Sequence, residues 1–445
     1  MEILYYVGIA IFIHRSSITQ ILENMRLLMR SVRVIESNKE EYISDLLVVD
    51  GIIHKIGNGI KDKDALVFDV PGACVSPGWV DLRANFRDPG EETKETIQSG
   101  LSAAAHGGFT GVVLMPSTNP PIQTKADVEY LLSRSSGHAV NIYPCGVLSH
   151  DRDGKDISEM FDMKTAGAVA FGDDKRPVRD SGLMSRALQY SLNIGSVVMT
   201  YSDDSGISGK GIVNEGVSST ISGLKSSPAF AEELMVARDI EICRYTGGRL
   251  HFGTISTKGS VDRIRAAKKD GLPITADVCA HQLFFDDSVI TDYDTNYKVK
   301  PPFRSSDDIE SLKLGVMDGT IDAICSDHYP QDDESKNVEF DFAGFGIAGI
   351  ETAFSVSRTA LVDLSVQKLM ELFTFGPRRV LGLEQVQIKE GHAANLTVFH
   401  PEQEWTPSKD HRKSLSANNP FFGMTLKGKV LGVLNNGQWI PSNRD

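Results

Sequence analysis

Histidine is scarce and dispersed in this chain, eleven among 445 residues, and none falls in an H-x-H, H-x-x-H or H-x-x-x-H pattern. That excludes the compact motifs that aim two imidazoles at one metal from a single strand or helical turn. Cysteine is also sparse. Cys74, Cys145, Cys243, Cys279 and Cys325 lie far apart with no C-x-x-C pair, which excludes a disulfide framework, fits a reducing compartment and gives a cytoplasmic expectation. Basic residues are outnumbered, 46 to 59, for a net charge of −13; this opposes binding to nucleic acid or to an anionic membrane. Long apolar runs are missing too. The nearest, Leu4 to Ile13, is too short for a bilayer that asks for roughly 20 residues. Met25 precedes a strand-like segment, Arg26 to Ile35, so residues 1–24 are read as a non-native or disordered extension.

What is present is ordinary globular chemistry, 41% hydrophobic and 24% charged, without low-complexity tracts. From Met25 to Val75 the chain reads as short β segments divided by turns. The C-terminal end reads the same way, with Asn395 to His400, Gly428 to Leu434, a tight turn at Asn435-Asn436-Gly437, and Gln438 to Ile440. Between the ends, apolar runs alternate with helical patterns. Eight such runs begin at Trp79, Thr110, Asn141, Ala168, Ser196, Arg249, Pro273 and Ile321. Alternation of this kind predicts an α/β fold, a (β/α)8 TIM-type barrel over 78–384, with a small β-sandwich formed by both chain ends, 25–77 and 385–445. Barrel chemistry sits where strands end, so those ends are where site residues are sought.

The first strand end reads Pro77-Gly-Trp-Val-Asp-Leu-Arg-Ala-Asn-Phe-Arg-Asp-Pro-Gly90. It resembles the dihydroorotase pattern P-G-x-x-D-x-H-x-H-x-R-E-P-G. The resemblance continues through Met115-Pro-Ser-Thr-Asn-Pro-Pro121, Ala170-Phe-Gly-Asp-Asp-Lys-Arg-Pro-Val178, Thr295-Asn-Tyr-Lys-Val-Lys-Pro-Pro302, Ile321-Asp-Ala-Ile-Cys-Ser-Asp-His-Tyr-Pro330 and Phe345-Gly-Ile-Ala-Gly-Ile-Glu-Thr352 to Asn419-Pro-Phe-Phe-Gly-Met-Thr-Leu-Lys-Gly-Lys-Val430. The chain is thereby identified as similar to class I dihydroorotases of the amidohydrolase superfamily, enzymes of pyrimidine biosynthesis that cyclise N-carbamoyl-L-aspartate reversibly with zinc.

Carried over residue by residue, the resemblance implies metal positions at Arg83, Asn85, Asp173, Thr200, Thr254 and Asp327, of which the family fills four with histidine. A guanidinium has no lone pair to give, and Asn and Thr oxygens are poor substitutes for imidazole. Two carboxylates remain, Asp173 and Asp327, the latter at the family's proton-shuttling position and here vestigial. Arg83 is expected to pair with one of them in place of metal. Of the substrate positions, Arg87 is retained, whereas Ser117, Lys300 and Gln331 depart from the family residues.

Other signals are weaker. His251, His281 and His328 are expected in packing and supporting hydrogen bonds; Cys279 and Cys325 as buried filler. Gly206 to Gly211 lacks the context of a phosphate loop. Asp151, Asp153 and Asp156 lack the remaining positions of an EF-hand, and Asp332-Asp-Glu334 reads as a solvated loop.

The resemblance is strongest to noncatalytic dihydroorotase homologues. It implies no bound cofactor, aspartate carbamoyltransferase as partner, and self-association into a homo-oligomer. The alternatives are a functioning cyclic-amide hydrolase, which would call for zinc, and a noncatalytic sensor of small acids gripped by Arg83 and Arg87.

Overall fold

The computed structural model describes residues 25–37 and 39–442; the expected extension at 1–24 lies outside them. All eight apolar runs form parallel strands, the second shifted one residue earlier and the other seven somewhat shorter than their runs. They are Trp79–Ala84, Phe109–Leu114, Asn141–Gly146, Ala170–Phe171, Val197–Thr200, Leu250–Phe252, Ile274–Cys279 and Ala323–Cys325, neighbours in that order. The ring closes where Ala84 bridges His328 and the Asn85 N–H donates to the His328 carbonyl at 2.8 Å. Helices outside and side chains inside bury both strand faces, which is why these segments read as unbroken apolar runs rather than alternating ones.

The helices begin where capping residues stop the preceding loop. Thr96, Thr124, Asp180, Thr257 and Ser305 each accept a hydrogen bond from a first-turn N–H, contacts that contribute about 1 kcal/mol apiece. Among the described residues no helix is long and apolar enough to cross a membrane.

The chain ends share one sheet. Leu396–Trp405 runs antiparallel to Cys74–Pro77, which pairs parallel with Arg26–Val34, and Tyr42–Val49 and Ile52–Gly57 extend the sheet beyond it. Leu426–Asn435 and Gln438–Pro441 complete the other edge. Their turn has Asn436 at φ 51° and Gly437 at φ 72°, the positive pair that a type I′ hairpin requires. This sheet seats on the barrel through Trp79, whose ring lies 4.7 Å from Phe354 and 5.3 Å from Phe399. Trp79 opens the first strand, so the contact covers the bottom of the barrel and leaves the strand ends for the site.

Candidate active site

The interior beyond the strand ends is dominated by two buried ion pairs. Arg83 Nη1 donates to Asp174 Oδ1 at 2.7 Å, and Nη2 to the Gly253 carbonyl at 2.8 Å. Both side chains are completely buried. Gly253 makes the space: a Cβ there would lie 2.9 Å from Arg83 Nη2 and 2.8 Å from Asp277 Oδ2. Burial lowers the pKa of Arg83, but Asp174, Asp277 and Asp327 more than offset it, so the net shift is upward. For Asp174 burial acts upward, and Arg83 and Lys175 bring the net shift below the ordinary range.

The second pair joins Lys175 to Asp327, with Nζ 2.7 Å from Oδ1 and 2.9 Å from Oδ2. Lys175 also sits 5.6 Å from the Tyr201 ring centre, within reach of a cation–π attraction. Its pKa is pushed down by burial and up by Asp327, with a net rise. Burial and the charge of Cys279 push Asp327 up to about 7 against the pull of Lys175. The two shifts disagree about how firmly the pair is ionised. The contact distances decide for the ion pair, since an ammonium straddling both oxygens favours the carboxylate.

These contacts correct two expectations. Asp173 does not enter the site. Its Oδ1 accepts from the backbone N–H groups of Leu148 and Ser149 at 2.9 and 3.0 Å, and its Oδ2 from Ser149 Oγ at 2.5 Å, so it holds the loop after the third strand. Asp174, turned inward at a left-handed φ of 53°, takes the place expected of its neighbour. Arg83 accordingly pairs with neither Asp173 nor Asp327, and the cation facing Asp327 is Lys175. Sequence reading missed Lys175, although a lysine directly after paired aspartates at a strand end was a visible signal.

The other family positions lie near these pairs. Ser117 Oγ donates to Asp174 and lies 2.7 Å from the amide of Asn85. The atom that faces Ser117 is Asn85 Oδ1, and Asn85 Nδ2 is buried without a hydrogen-bond partner. Thr200 Oγ1 donates to Asp239 at 3.4 Å, and Thr254 Oγ1 is buried without a hydrogen-bond partner. His251 binds Asp277 at 2.8 Å and Thr275 at 2.9 Å, and His328 lies 3.3 Å from Glu95. Cys279 and His281 lie beside Asp327, so Cys279 has polar company where apolar filler was expected.

Arg87 stands outside, at the mouth. Its guanidinium stacks 3.8 Å over Tyr329, Nη1 donates to Glu91 at 3.1 Å and Nε to the Pro330 carbonyl at 3.2 Å. Nη2 is buried and has no hydrogen-bond partner. Arg87 shares a cavity of about 440 Å³ with Ser117, Gln331, Lys94, Arg152 and Arg176. Lys300 is elsewhere, 3.3 Å from Asp203 and 5.4 Å from the Tyr201 ring. Arg87, Asp174 and Asp327 all have left-handed backbones, at φ 60°, 53° and 47°. Such conformations persist only where the surroundings hold them and cluster at functional sites.

Comparison with known proteins places the chain as a whole in one family. The profile described as Dihydro-orotase-like matches residues 72–260. A dihydroorotase of Thermoanaerobacter sp. is 43% identical over 410 residues, covering 91% of this chain and 95% of its own. The chain belongs to the dihydroorotase family. The dihydroorotase of Caldanaerobacter subterraneus is 41% identical over 93% of this chain and 97% of its own. Among solved structures, the L-hydantoinase (dihydropyrimidinase) of Arthrobacter aurescens superposes with a TM-score of 0.83 at 22% identity, over 95% of this chain and 97% of that one. The dihydropyrimidinase of Brevibacillus agri gives 0.81 at 20% identity, over 94% and 95%; both likenesses concern the fold.

The zinc that the family implies does not fit the corresponding residues. The side chains at those positions are a guanidinium, an amide, two hydroxyls and two carboxylates; of the carboxylates Asp173 is turned onto the Leu148–Ser149 backbone, and Asp327, like Asp174 beside it in the site, already faces a cation of the chain. Zinc needs lone-pair donors in a closed array, and the positive charges beside Asp174 and Asp327 oppose it.

Proposed function

We propose that this chain is a noncatalytic dihydroorotase homologue of the cytoplasm, retained for assembly as a homo-oligomer and as a structural partner of aspartate carbamoyltransferase. The observation that carries the noncatalytic half is the pairing of Arg83 with Asp174 and of Lys175 with Asp327. These pairs neutralise from within Asp327, which stands at a family metal position, and Asp174, which takes the inward place expected of Asp173. Without the family's metal, water activation and oxyanion stabilisation would fall to side chains alone, forgoing several kcal/mol of transition-state stabilisation. That weighs against the reading as a functioning cyclic-amide hydrolase. The partner half rests on the family resemblance. Two measurements test the whole: a dihydroorotase assay with and without added zinc, expected to show no turnover, and co-elution with aspartate carbamoyltransferase on size exclusion, expected as a stable complex. Turnover overturns the first half and separate elution the second.

A second reading is favoured by one specific feature: Arg87, which lines the mouth cavity, keeps a buried Nη2 without a hydrogen-bond partner. A small mono- or dicarboxylic acid would satisfy it, with Arg152, Arg176 and Lys94 adding positive potential. Arg83 takes no part in that grip, being spent on Asp174 and the Gly253 carbonyl. Binding without turnover would make the chain a sensor.

A further inference from the structure

We propose that Cys279, His281 and Asp327 form a site for one divalent ion of the zinc class, built from a donor set different from the family's. The site goes beyond the assembly reading and does not depend on it. Cys279 ends the seventh strand, and His281 follows in the turn Ala280–Leu283. Cys279 lies in register with Cys325, and Asp327 comes two residues later. The barrel therefore brings together a sulfur, an imidazole and a carboxylate that the sequence holds apart. One donor atom from each lies within 4.8 Å of the other two, and all three residues are buried. Tetrahedral zinc, with bonds of about 2.0–2.3 Å, sets its donors about 3.3–3.8 Å apart, so closing on an ion takes a contraction of the order of 1 Å.

A second observation points to a ligand. His281 is 3% exposed and its Nε2 has no hydrogen-bond partner. Its ring meets Phe303 edge-on at 5.7 Å, a contact that does nothing for a nitrogen. A buried polar atom left this way costs about 1–3 kcal/mol, which a metal bond through Nε2, or a turn of the ring that brings Nε2 to the ion, would relieve.

Charge agrees. Counting thiols and imidazoles as neutral, Arg83 and Lys175 face Asp174, Asp277 and Asp327, two cations against three carboxylates. A divalent ion that displaces the thiol proton brings the cluster to neutrality, the outcome a dry interior favours. Donor softness selects the ion: thiolate and imidazole disfavour magnesium and calcium and suit zinc or cobalt. Three protein donors leave a fourth position for water. Lys175 is the competitor, since the ion must share Asp327 with its ammonium.

The test uses the full chain, stripped with chelator and titrated with Co²⁺. The expected result is one cobalt per chain with a near-ultraviolet thiolate-to-cobalt charge-transfer band that zinc bleaches. The family's histidine and carboxylate donors cannot produce that band, so the outcome is separable from any dihydroorotase turnover. Cys279→Ser should abolish the band and Cys74→Ser leave it intact. His281→Ala should weaken binding roughly 100-fold or more, since losing even an outer-sphere partner costs 10–100-fold. Lys175→Met should tighten it about tenfold, the scale of one modest charge contact. Absence of the band in the wild-type chain, or its survival in Cys279→Ser, overturns the proposal.

Discussion

Lys175 Nζ reaches both oxygens of Asp327, at 2.7 and 2.9 Å, from a position one residue after the aspartate that holds Arg83. Two cations, from the first and fourth strand ends, thus serve two acids, from the fourth and eighth, and removing either cation should expose the dependence. Lys175→Met leaves Asp327 buried without its partner, which costs about 3–5 kcal/mol, whereas Lys175→Met with Asp327→Leu replaces the pair by apolar bulk and should recover most of that loss. Thermal melts of the single and double variants check this. A double variant no more stable than Lys175→Met would mean that the pair is not the source of the effect.

Gly253→Ala tests the other pair from the backbone side. The added methyl would fall 2.9 Å from Arg83 Nη2 and 2.8 Å from Asp277 Oδ2, and overpacking of a tight interior costs about 1–3 kcal/mol. Combining it with Arg83→Ala should give less than the sum of the two single losses, because one of the two close contacts leaves with the guanidinium and only that to Asp277 remains. Additive melting shifts would place the strain elsewhere.

The barrel was legible because its signal is local and repeated: eight apolar runs, helical spacing between them, and capping residues such as Thr96 and Thr257 at the junctions. The missing histidines were equally plain. What could not be read is which of two adjacent acids faces inward, since that turns on the left-handed backbone of Asp174. Nor could residue order show that Lys175 reaches across to a carboxylate 152 positions away. The meeting of Cys279, His281 and Asp327 is likewise a product of strand register.

The division of labour between Asp173 and Asp174 can be measured. Asp173→Asn keeps an oxygen for one backbone N–H but loses the charge that ties Leu148 and Ser149, a loss of about 1.5–3 kcal/mol for hydrogen bonds to a charged group. Hydrogen exchange should quicken at those two amides. In Asp174→Asn the same amides should keep their protection while the melting temperature falls through Arg83. The reverse pattern would restore Asp173 to the site.

Arg87 gives the mouth cavity its own test. Calorimetric titration with succinate should show binding that Arg87→Met removes and Arg87→Lys weakens at least tenfold, because a point ammonium cannot reproduce the planar fork over Tyr329. Arg83→Met should leave the succinate affinity within a few-fold of wild type in protein that remains folded. Binding indifferent to Arg87 would sink the sensor reading.

Asp81 carries a pH dependence whose sign is fixed by burial. It is fully buried beside Ser326, whose backbone N–H donates to Oδ1 at 2.9 Å and whose hydroxyl donates to Oδ2. Burial outweighs these bonds and raises its pKa from 3.8 to about 7. Between those values the folded state holds a proton that the unfolded state has released, so this contribution is complete below about pH 4 and is lost as pH rises through about 7. Asp81→Asn removes the titration while keeping an oxygen for the Ser326 N–H and an amide that can donate to its hydroxyl. The variant should therefore gain on the wild type as pH climbs from about 4 to 7, with a constant difference above. A melting-temperature difference that stays flat across that window would show that Asp81 folds in already charged, held by Ser326 against its surroundings.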